Sequence, residues 1–561
     1  MFAKFIIKSI VIVSISLLFI EADDIRVYSS DSFVESIGVN THWASHNVYW
    51  SNYTDVKSKL AESGIRYIRD GTFNEVFVRV NDLYESLGVK TIMITGRWKS
   101  GLMPQPLNPS LIDDELKHFQ NITNIDAIVG IEAPNEYDGS HGSDPDWVGT
   151  IRNYTNNVYS KVKANQRLKN IPVLGPSLID LKAYEAVGSL DPFIDFVNQH
   201  MYQWTYWPGW NGTNDTGARS ISWFLDKLAP LQSPSGKAVH ATETGYTNFL
   251  DLVGLFQEAD GKYMPRIFAE FFRRGVVRTY KYELIDEAQP GREGLFGLLT
   301  NNISEKPAFR AMKSLIQLLS DKGPSFEPFF LNYTLTGNLD NLRQLLLQKR
   351  NGDFYLMIWL EVSSWDVNNK TDLYPSPQQV TVRLQPQQHA DISNATLYTF
   401  NNTGHLSINQ LSIINNQITF NATDKITLIK FNNGTANSIP FGVYRFLSKN
   451  NLHLSLHSNG KRKTIPQLKE QHWRNRNQHW IIQSEKDDDH GFYRLIHRET
   501  KQVLETYNET IRLNHWLGLD CQKWKIDLLP NGFYQLSSKH QNKQWITQNQ
   551  QWRIDWITDQ I

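Results

Sequence analysis

The chain has 561 residues, of which 40% are hydrophobic and 12% aromatic, so it can bury several cores and is neither disordered nor fibrous. It carries 57 basic and 57 acidic residues and therefore no formal net charge. This balance argues against a nucleic acid or an anionic membrane surface as the main partner. The single cysteine, Cys521, cannot form an intramolecular disulfide, so packed cores must supply the stability.

The N-terminus indicates export. Lys4 and Lys8 precede an apolar run over residues 10–20, and Ala22 stands before two aspartates. This pattern predicts a secretory signal peptide over residues 1–22, because the apolar run is short for a membrane span. Thirteen N-x-S/T sequons favour an N-glycosylated protein in the extracellular space, a lysosome or a digestive lumen.

Residues 23–320 alternate short β-rich runs with helical patterns. Eight strands are predicted, over residues 33–40, 65–70, 90–96, 127–136, 171–177, 193–202, 237–244 and 276–284. Most are continuously apolar, as expected for parallel strands that are buried on both faces. Eight strand–helix units in about 290 residues favour a (β/α)₈ barrel. A Rossmann domain would need a glycine-rich turn after its first strand, and the stretch GVNTHWASH (38–46) offers none.

The rest of the chain reads as two all-β domains. Residues 325–437 alternate apolar and polar positions between turn-rich gaps, which predicts an antiparallel β-sandwich. Residues 440–561 contain an internal repeat, marked by Gln-x-Trp at Gln478/Trp480, Gln522/Trp524 and Gln550/Trp552. These three copies resemble ricin-type β-trefoil lectin domains. Such lobes use an aspartate to bind sugar, and the corresponding stretches here have none, so the resemblance leaves open whether this domain binds sugar or acts as a spacer.

Two glutamates end predicted barrel strands. The stretch IEAPNEYD (131–138) places Asn135 and Glu136 after the fourth strand, and VHATETGYT (239–247) places Glu243 in the seventh. The carboxyl ends of barrel strands form the face that carries active sites. Hydrolysis of a glycosidic bond with retention needs two carboxyl groups about 5–5.5 Å apart. The alternative is that both are salt-bridged structural residues on a non-catalytic barrel.

An Asn-Glu pair closing strand four and a Glu closing strand seven resemble the retaining glycoside hydrolases of clan A. The resemblance implies that Glu136 is the general acid/base, that Glu243 is the nucleophile and that Asn135 binds the sugar 2-hydroxyl. It also implies that Arg69, closing strand two, keeps the nucleophile ionised. The sequence differs from the clan near strand eight, where Tyr282 and Glu283 stand in place of a common sugar-stacking tryptophan.

Further residues are expected to bind substrate. Their side chains end strands or lie in the following loops: His200 and Tyr202 after strand six, His42 and Trp43 after strand one, Trp98 after strand three and Trp204 after strand six. Glu132 shares a face with Glu136 and is predicted to be a structural residue paired with an arginine or lysine. Neither a metal nor a cofactor is predicted, since the retaining mechanism needs none.

Together these features predict a multidomain secreted protein with a TIM (β/α)₈ barrel, a β-sandwich and a β-trefoil. We expect a monomeric retaining glycoside hydrolase that cleaves β-glycosidic bonds of a polysaccharide or glycoconjugate, with no nucleic-acid or membrane partner. The alternative is a secreted, lectin-like carbohydrate-binding protein whose barrel has lost activity. An inverting hydrolase would instead separate its carboxyl groups by about 6.5–9.5 Å.

Overall fold

The computed structural model describes residues 26–556, apart from short gaps. The gaps are 44–47, 97–106, 141–143, 213–216, 252, 289–290, 324–325, 327, 329–330, 386–391, 434–441, 460, 462, 473–474, 485–491, 508–509, 529–532 and 541–550. The predicted signal peptide, Trp98 and Gln550 therefore lie outside the described residues. Within the described part of the chain, no helix is both long enough and apolar enough to cross a membrane.

The first region is a parallel eight-stranded barrel, as predicted. Its strands are β1 (Ile37–Asn40), β2 (Tyr67–Gly71), β3 (Lys90–Ile94), β4 (Ile128–Glu132), β5 (Val173–Leu174), β6 (Val197–His200), β7 (Val239–Thr244) and β8 (Arg278–Lys281). They pair in the order β5-β4-β3-β2-β1-β8-β7-β6. A parallel bridge between Leu174 and Phe196 joins the two edges, and the Gly175 amide donates to the Phe196 carbonyl at 3.0 Å. These contacts close the sheet.

Helices surround the barrel. The α-helices are Ser30–Glu35, Val48–Ser51, Tyr53–Ser63, Asn74–Leu87, Ile112–Lys117, Tyr137–Ser140, Trp147–Ala164, Leu181–Val187, Ala229–Gln232, Gln257–Arg273 and Pro307–Leu319, with a π-helix at Trp223–Leu228. The longest shows why these segments are helical: Asp146 caps it by accepting from the Gly149 amide at 3.3 Å. Ile151, Val158 and Val162 then bury one face at helical spacing.

Two sheets follow the barrel and share one apolar core. The larger contains Val27–Ser29, Leu342–Gln348, Phe354–Leu360, Thr427–Asn433, Ile392–Phe400 and Leu406–Leu411, and the smaller contains Tyr333–Gly337, Gln378–Leu384 and Gln417–Ala422. A short hairpin pairs Trp365–Asp366 with Thr371–Asp372. Leu335, Leu356 and Phe420 are among the residues buried in the shared core. This is an all-β region separate from the barrel.

One strand of the larger sheet comes from the N-terminal part of the chain. Val27–Ser29 pairs in parallel with the distant strand Leu342–Gln348, with Val27 opposite Leu346. The chain therefore contributes to the β-region before it enters the barrel, whereas the sequence placed residues 23–320 in the barrel alone.

The barrel helix Gln257–Arg273 joins the two regions through buried charges. Arg266 forms an ion pair with Glu361, and both side chains are at most 1% exposed. Lys262 Nζ lies 3.2 Å from Asp424 Oδ2. Lys262 and Arg266 thus each meet a carboxylate of the β-region, which fixes the helix against the sheet.

The last region is all-β and contains the Gln-x-Trp repeat. Its strands are Gly442–Ser448, Asn451–His457, Gln467–Glu470, Trp480–Ser484, Tyr493–His497, Val503–Tyr507, Thr510–Asn514, Trp524–Leu528, Tyr534–Ser538 and Trp552–Trp556. Trp480, Trp524 and Trp552 are at most 1% exposed and belong to one core. The indole of Trp480 donates to the Leu456 carbonyl, and that of Trp524 donates to the Leu504 carbonyl. Two copies of the repeat therefore bury their tryptophan in the same way, while the trefoil itself stays a prediction.

Candidate active site

A cavity of about 350 Å³ opens at the carboxyl ends of the barrel strands. It brings together Glu136 after β4, Glu243 in β7, His200 and Tyr202 at the end of β6, and His42 after β1. These residues are far apart in the sequence and meet because parallel strands all end at this face. The cavity is therefore a candidate active site.

The backbone directs Glu136 into the cavity. Asn135 forms a parallel bridge with Ser177, and the Glu136 amide donates to the Ser177 carbonyl at 3.1 Å. Glu136 has a φ of +46°, which turns the chain from the strand into the helix Tyr137–Ser140. Such a conformation is unfavourable for a non-glycine residue and occurs often at functional sites. Its side chain is 34% exposed, so Glu136 is the accessible carboxyl of the pair.

Glu243 is the buried carboxyl, with its side chain 10% exposed. Arg69 Nη1 donates to Oε1 at 2.7 Å, and the Tyr202 hydroxyl donates to Oε2 at 2.8 Å. Burial alone would raise the pKa of Glu243, but the charges of His200 and Arg69 and the bond from Tyr202 outweigh it and lower that pKa. Glu243 is therefore held ionised at neutral pH.

Arg69 connects the ends of β1, β2, β4 and β7. It binds Glu132 through Nε and Nη2, at 2.7 and 2.6 Å, and donates to the side-chain oxygens of Asn40 and Asn135 at 2.9 and 2.6 Å. Glu132 is fully buried in this bidentate pair, which confirms the predicted pairing with an arginine. Asn135 lines the cavity and uses its side-chain carbonyl oxygen on Arg69, so its amide group takes no part in that bond.

His200 lies between the two cavity glutamates. Its Nδ1 is 2.6 Å from Glu136 Oε1 and 3.4 Å from Glu243 Oε2. Burial lowers the pKa of His200, but the two carboxylates raise it further, so its net shift is upward. The nearest carboxylate oxygens of Glu136 and Glu243 lie within 4.8 Å of one another.

Of the remaining predicted substrate-binding residues, some line the cavity and others do not. His42 lines the cavity and its Nδ1 is 2.5 Å from Glu287 Oε1. Trp204 lines it with its side chain 45% exposed. Trp43 is fully buried and packs edge-on against Tyr49 and Tyr53, so the structure does not bring it to the cavity. Trp98 lies outside the described residues.

Several cavity residues were missed by the sequence patterns. Arg219 and Phe296 lie in loops, Arg292 and Glu293 lie in the 3₁₀ helix Arg292–Leu295, and Tyr282 follows β8. No strand period or motif marks Arg219, Arg292, Glu293 or Phe296. In the sequence, Tyr282 is only a departure from the tryptophan that is common near strand eight; its ring lines the cavity and packs edge-on against Phe296 at 5.5 Å.

Two groups of described residues have donor atoms close enough to hold a metal ion. They are His42 with Glu283 and Glu287, and His200 with Glu136 and Glu243. In both groups the imidazole Nδ1 contacts a carboxylate oxygen, at 2.5 Å between His42 and Glu287 and at 2.6 Å between His200 and Glu136.

What the site can do chemically follows from the difference between its two glutamates. Glu243 is buried and ionised, whereas Glu136 is accessible and shares a short contact with an imidazole. The arrangement can therefore place a carboxylate nucleophile and a proton donor on one bound molecule.

No family model matches the chain, and no curated protein matches its sequence. Similar solved structures include a family 39 glycoside hydrolase from the gut symbiont Bacteroides cellulosilyticus WH2, with 14% identity, a TM-score of 0.47 and coverage of 73% of this chain and 83% of the other. The family 39 enzyme from Xanthomonas axonopodis pv. citri has 15% identity, a TM-score of 0.48 and coverage of 73% and 96%. The designed threefold-symmetric protein ThreeFoil has 20% identity, a TM-score of 0.18 and coverage of 20% and 98%.

Proposed function

We propose that this protein is a secreted retaining glycoside hydrolase that cleaves β-glycosidic bonds of a polysaccharide or glycoconjugate. The observation that carries the proposal is the pair Glu136 and Glu243. Their nearest carboxylate oxygens lie within 4.8 Å of one another in one cavity at the barrel mouth. This short separation favours retention, because an inverting enzyme must leave room for a water between its carboxyl groups.

The mechanism would be a double displacement. Glu243 attacks the anomeric carbon while Glu136 protonates the glycosidic oxygen, so the bond to the leaving group breaks and a covalent glycosyl-enzyme forms. Glu136 then removes a proton from water, which attacks the anomeric carbon and releases Glu243. The two inversions restore the original configuration. No metal or cofactor takes part in these steps.

The surrounding residues have roles that follow from their contacts. Arg69 and Tyr202 keep Glu243 ionised and fix its orientation. The 2.6 Å contact between His200 Nδ1 and Glu136 supplies a shared proton for the acid step. The Asn135 amide would bind the sugar 2-hydroxyl, and Trp204 and Tyr282 offer apolar faces to the sugar rings.

The surface supports export and glycosylation. All nine sequon asparagines with described side chains are exposed: Asn52, Asn121, Asn153, Asn211, Asn302, Asn332, Asn369, Asn401 and Asn421. Expression in a secretory eukaryotic host should give protein in the medium whose apparent mass falls on treatment with a peptide N-glycosidase. Retention inside the cell with no change in mass would contradict this part of the proposal.

The two β-regions would act as accessory domains, a sandwich fixed to the barrel and a ricin-like trefoil. The paired sheets with their common core support the first assignment, and the equivalent burial of Trp480 and Trp524 supports the second. In the second repeat, Glu505 accepts from Gln522 at 2.9 Å and from Asn514 at 3.0 Å.

The decisive experiment is azide rescue. Activity would first be located with a panel of aryl β-glycosides, and Glu243→Gly should then lose it. Added azide should restore turnover and give a glycosyl azide of inverted configuration. Glu136→Gly should instead form the azide of retained configuration from substrates with good leaving groups.

Glu293→Gln is a matched control, since it removes a third carboxylate from the same cavity. It should show no dependence on azide. Full activity of the Glu243→Gly variant without azide would refute the nucleophile assignment.

A further inference from the structure

Arg219 is a cavity residue whose guanidinium has no polar partner among the described residues. It lines the same cavity as Glu136 and Glu243 and is partly buried. The central carbon of the guanidinium lies 3.5 Å from the centre of the Trp204 ring. Stacking of this kind covers one face of the cation and leaves its N–H groups pointing outward in the plane.

Another arginine at the same cavity shows the contrast. Arg292 Nη2 lies 2.6 Å from Asp251 Oδ2, so its charge is already neutralised. Burial lowers the pKa of Arg219, and the charge of Asp180 opposes this shift only in part. The Asp180 carboxylate itself accepts from the Ala183 amide at 3.0 Å. Arg219 has therefore given up part of its hydration without gaining a hydrogen-bonding partner among the described residues, which is unfavourable unless a ligand supplies one.

The backbone at this site is strained. Trp204 and Arg219 have φ values of +58° and +74°, and Glu136 has +46°. Bulky residues rarely adopt this conformation, and such strain concentrates where side chains are held for ligands. Three strained non-glycine residues thus line one cavity.

We propose that Arg219, stacked on Trp204, binds an oxyanion substituent of the glycan substrate, either a carboxylate or a sulfate ester. This inference rests on the proposed glycosidase function and narrows its substrate class to acidic glycans. The fork of N–H groups matches the paired oxygens of a carboxylate or sulfate. The floor of the cavity repels anions because it carries Glu136 and Glu243, so the acidic group is directed to Arg219.

The competing explanation is that Arg219 only covers Trp204. In that case it would aid neutral and acidic glycans equally, through the aromatic ring. The two explanations differ in charge selectivity, so binding of matched glycans separates them.

The test measures equilibrium binding to the full chain carrying Glu243→Gln, which removes the nucleophile and prevents turnover. The probes are β-linked oligosaccharides: hyaluronan and polymannuronate fragments carry carboxylates only, keratan sulfate fragments carry sulfates only, and cello-, xylo- and laminari-oligosaccharides are neutral. Carboxyl-reduced hyaluronan fragments serve as the matched uncharged probe. Arg219→Gln and Arg292→Gln are then each added to the Glu243→Gln background.

We expect at least one acidic probe to bind more tightly than every neutral one. Arg219→Gln should weaken the binding of that acidic probe by about ten- to a hundredfold, the range for loss of hydrogen bonds to a charged group. Arg292→Gln should change it by less than about threefold, because Asp251 already neutralises that charge. The unfolding midpoint should be unchanged in Arg219→Gln, since the side chain makes no described hydrogen bond. Carboxylate-only or sulfate-only probes identify the source of the oxyanion.

Tightest binding by a neutral probe, or equal weakening of neutral and acidic probes by Arg219→Gln, would overturn the inference. The proposed function is judged separately by cleavage with the unmodified chain. If the protein cleaves neutral glycans and Arg219→Gln does not change that cleavage, the proposed hydrolase function stands and the proposed acidic subsite is refuted. Charge-selective binding without any cleavage would support the acidic subsite and refute the proposed hydrolase function.

Discussion

Glu283 offers a sharp test of the electrostatics beneath the cavity. Its side chain is fully buried after β8, and neither of its carboxyl oxygens has a hydrogen-bond partner among the described residues. Burial raises the pKa of Glu283 to about 8, and the nearby His42 counteracts this only in part. Glu283→Gln replaces a carboxyl group that must stay protonated with a neutral group of the same shape.

The magnitude follows from proton linkage. The folded state holds a proton at Glu283 between the ordinary pKa of 4.5 and the raised value of about 8. The stability contributed by this proton is fully present below the lower value and is lost as pH rises through the upper one. The slope is about 1.4 kcal/mol per pH unit midway between the two values and flattens near each of them, so the loss grows by about 3.5 kcal/mol between about pH 5 and pH 8. Glutamine does not titrate, so the variant escapes this loss.

The assay is the apparent unfolding midpoint of the full chain and the variant across that pH range. The midpoint of Glu283→Gln relative to the parent should rise by about 7 °C from about pH 5 to pH 8, taking about 2 °C per kcal/mol for a domain of this size. Glu287→Gln is the control, because Glu287 is partly exposed and contacts the His42 imidazole at 2.5 Å. It should show no such rise. A constant difference between parent and Glu283→Gln at all pH values would refute the argument.

Three further predictions concern the charge network and the last β-region. Arg69→Met should lower stability by about 3–5 kcal/mol in a denaturant titration, because it leaves Glu132 and Glu243 buried without their cation; an unchanged midpoint would contradict this. Tyr202→Phe should lower kcat/KM by about ten- to a hundredfold and move the acidic limb of its pH profile upward, since Glu243 loses a bond that lowers its pKa; an unmoved limb would count against the assignment. Trp524→Ala should destabilise the last region by about 3–5 kcal/mol while leaving hydrolysis intact, because that indole lies in a core distinct from the barrel's; parallel loss of activity would show that the regions are coupled.

The barrel and its strand-end residues could be predicted because they depend on short-range patterns. Seven barrel strands lie within their predicted runs, and the second passes the end of its run by one residue, Gly71; the period of buried residues is local to each run. Once eight parallel strands are counted, their carboxyl ends must share one face, which brings Asn135, Glu136 and Glu243 to one cavity. The placement followed from the fold and needed no knowledge of side-chain contacts.

Contacts between distant segments could not be predicted in this way. Val27–Ser29 is a three-residue strand whose partner lies more than 300 residues later, so nothing near it in the sequence marks its sheet. Trp43 follows β1 like His42, yet its indole turns into the aromatic cluster with Tyr49 while His42 faces the cavity. Arg219 belongs to no motif. Its proposed role depends on the observation that its guanidinium has no polar partner among the residues that the structure describes.

The cavity floor is a chain of alternating charge: Glu132, Arg69, Glu243, His200 and Glu136 follow one another at contact distance. Each cation lies between two carboxylates, so the network ends on a carboxylate at both sides, one fully buried and one open to the cavity. Loss of either cation would leave two carboxylates facing each other in a low-dielectric site, which would force one to bind a proton. The ionisation of Glu243 is therefore determined by the barrel strands that hold Arg69 and His200. Glu136, at the cavity end of the network, is the most exposed of these five groups and is the one best placed to exchange a proton with a bound molecule.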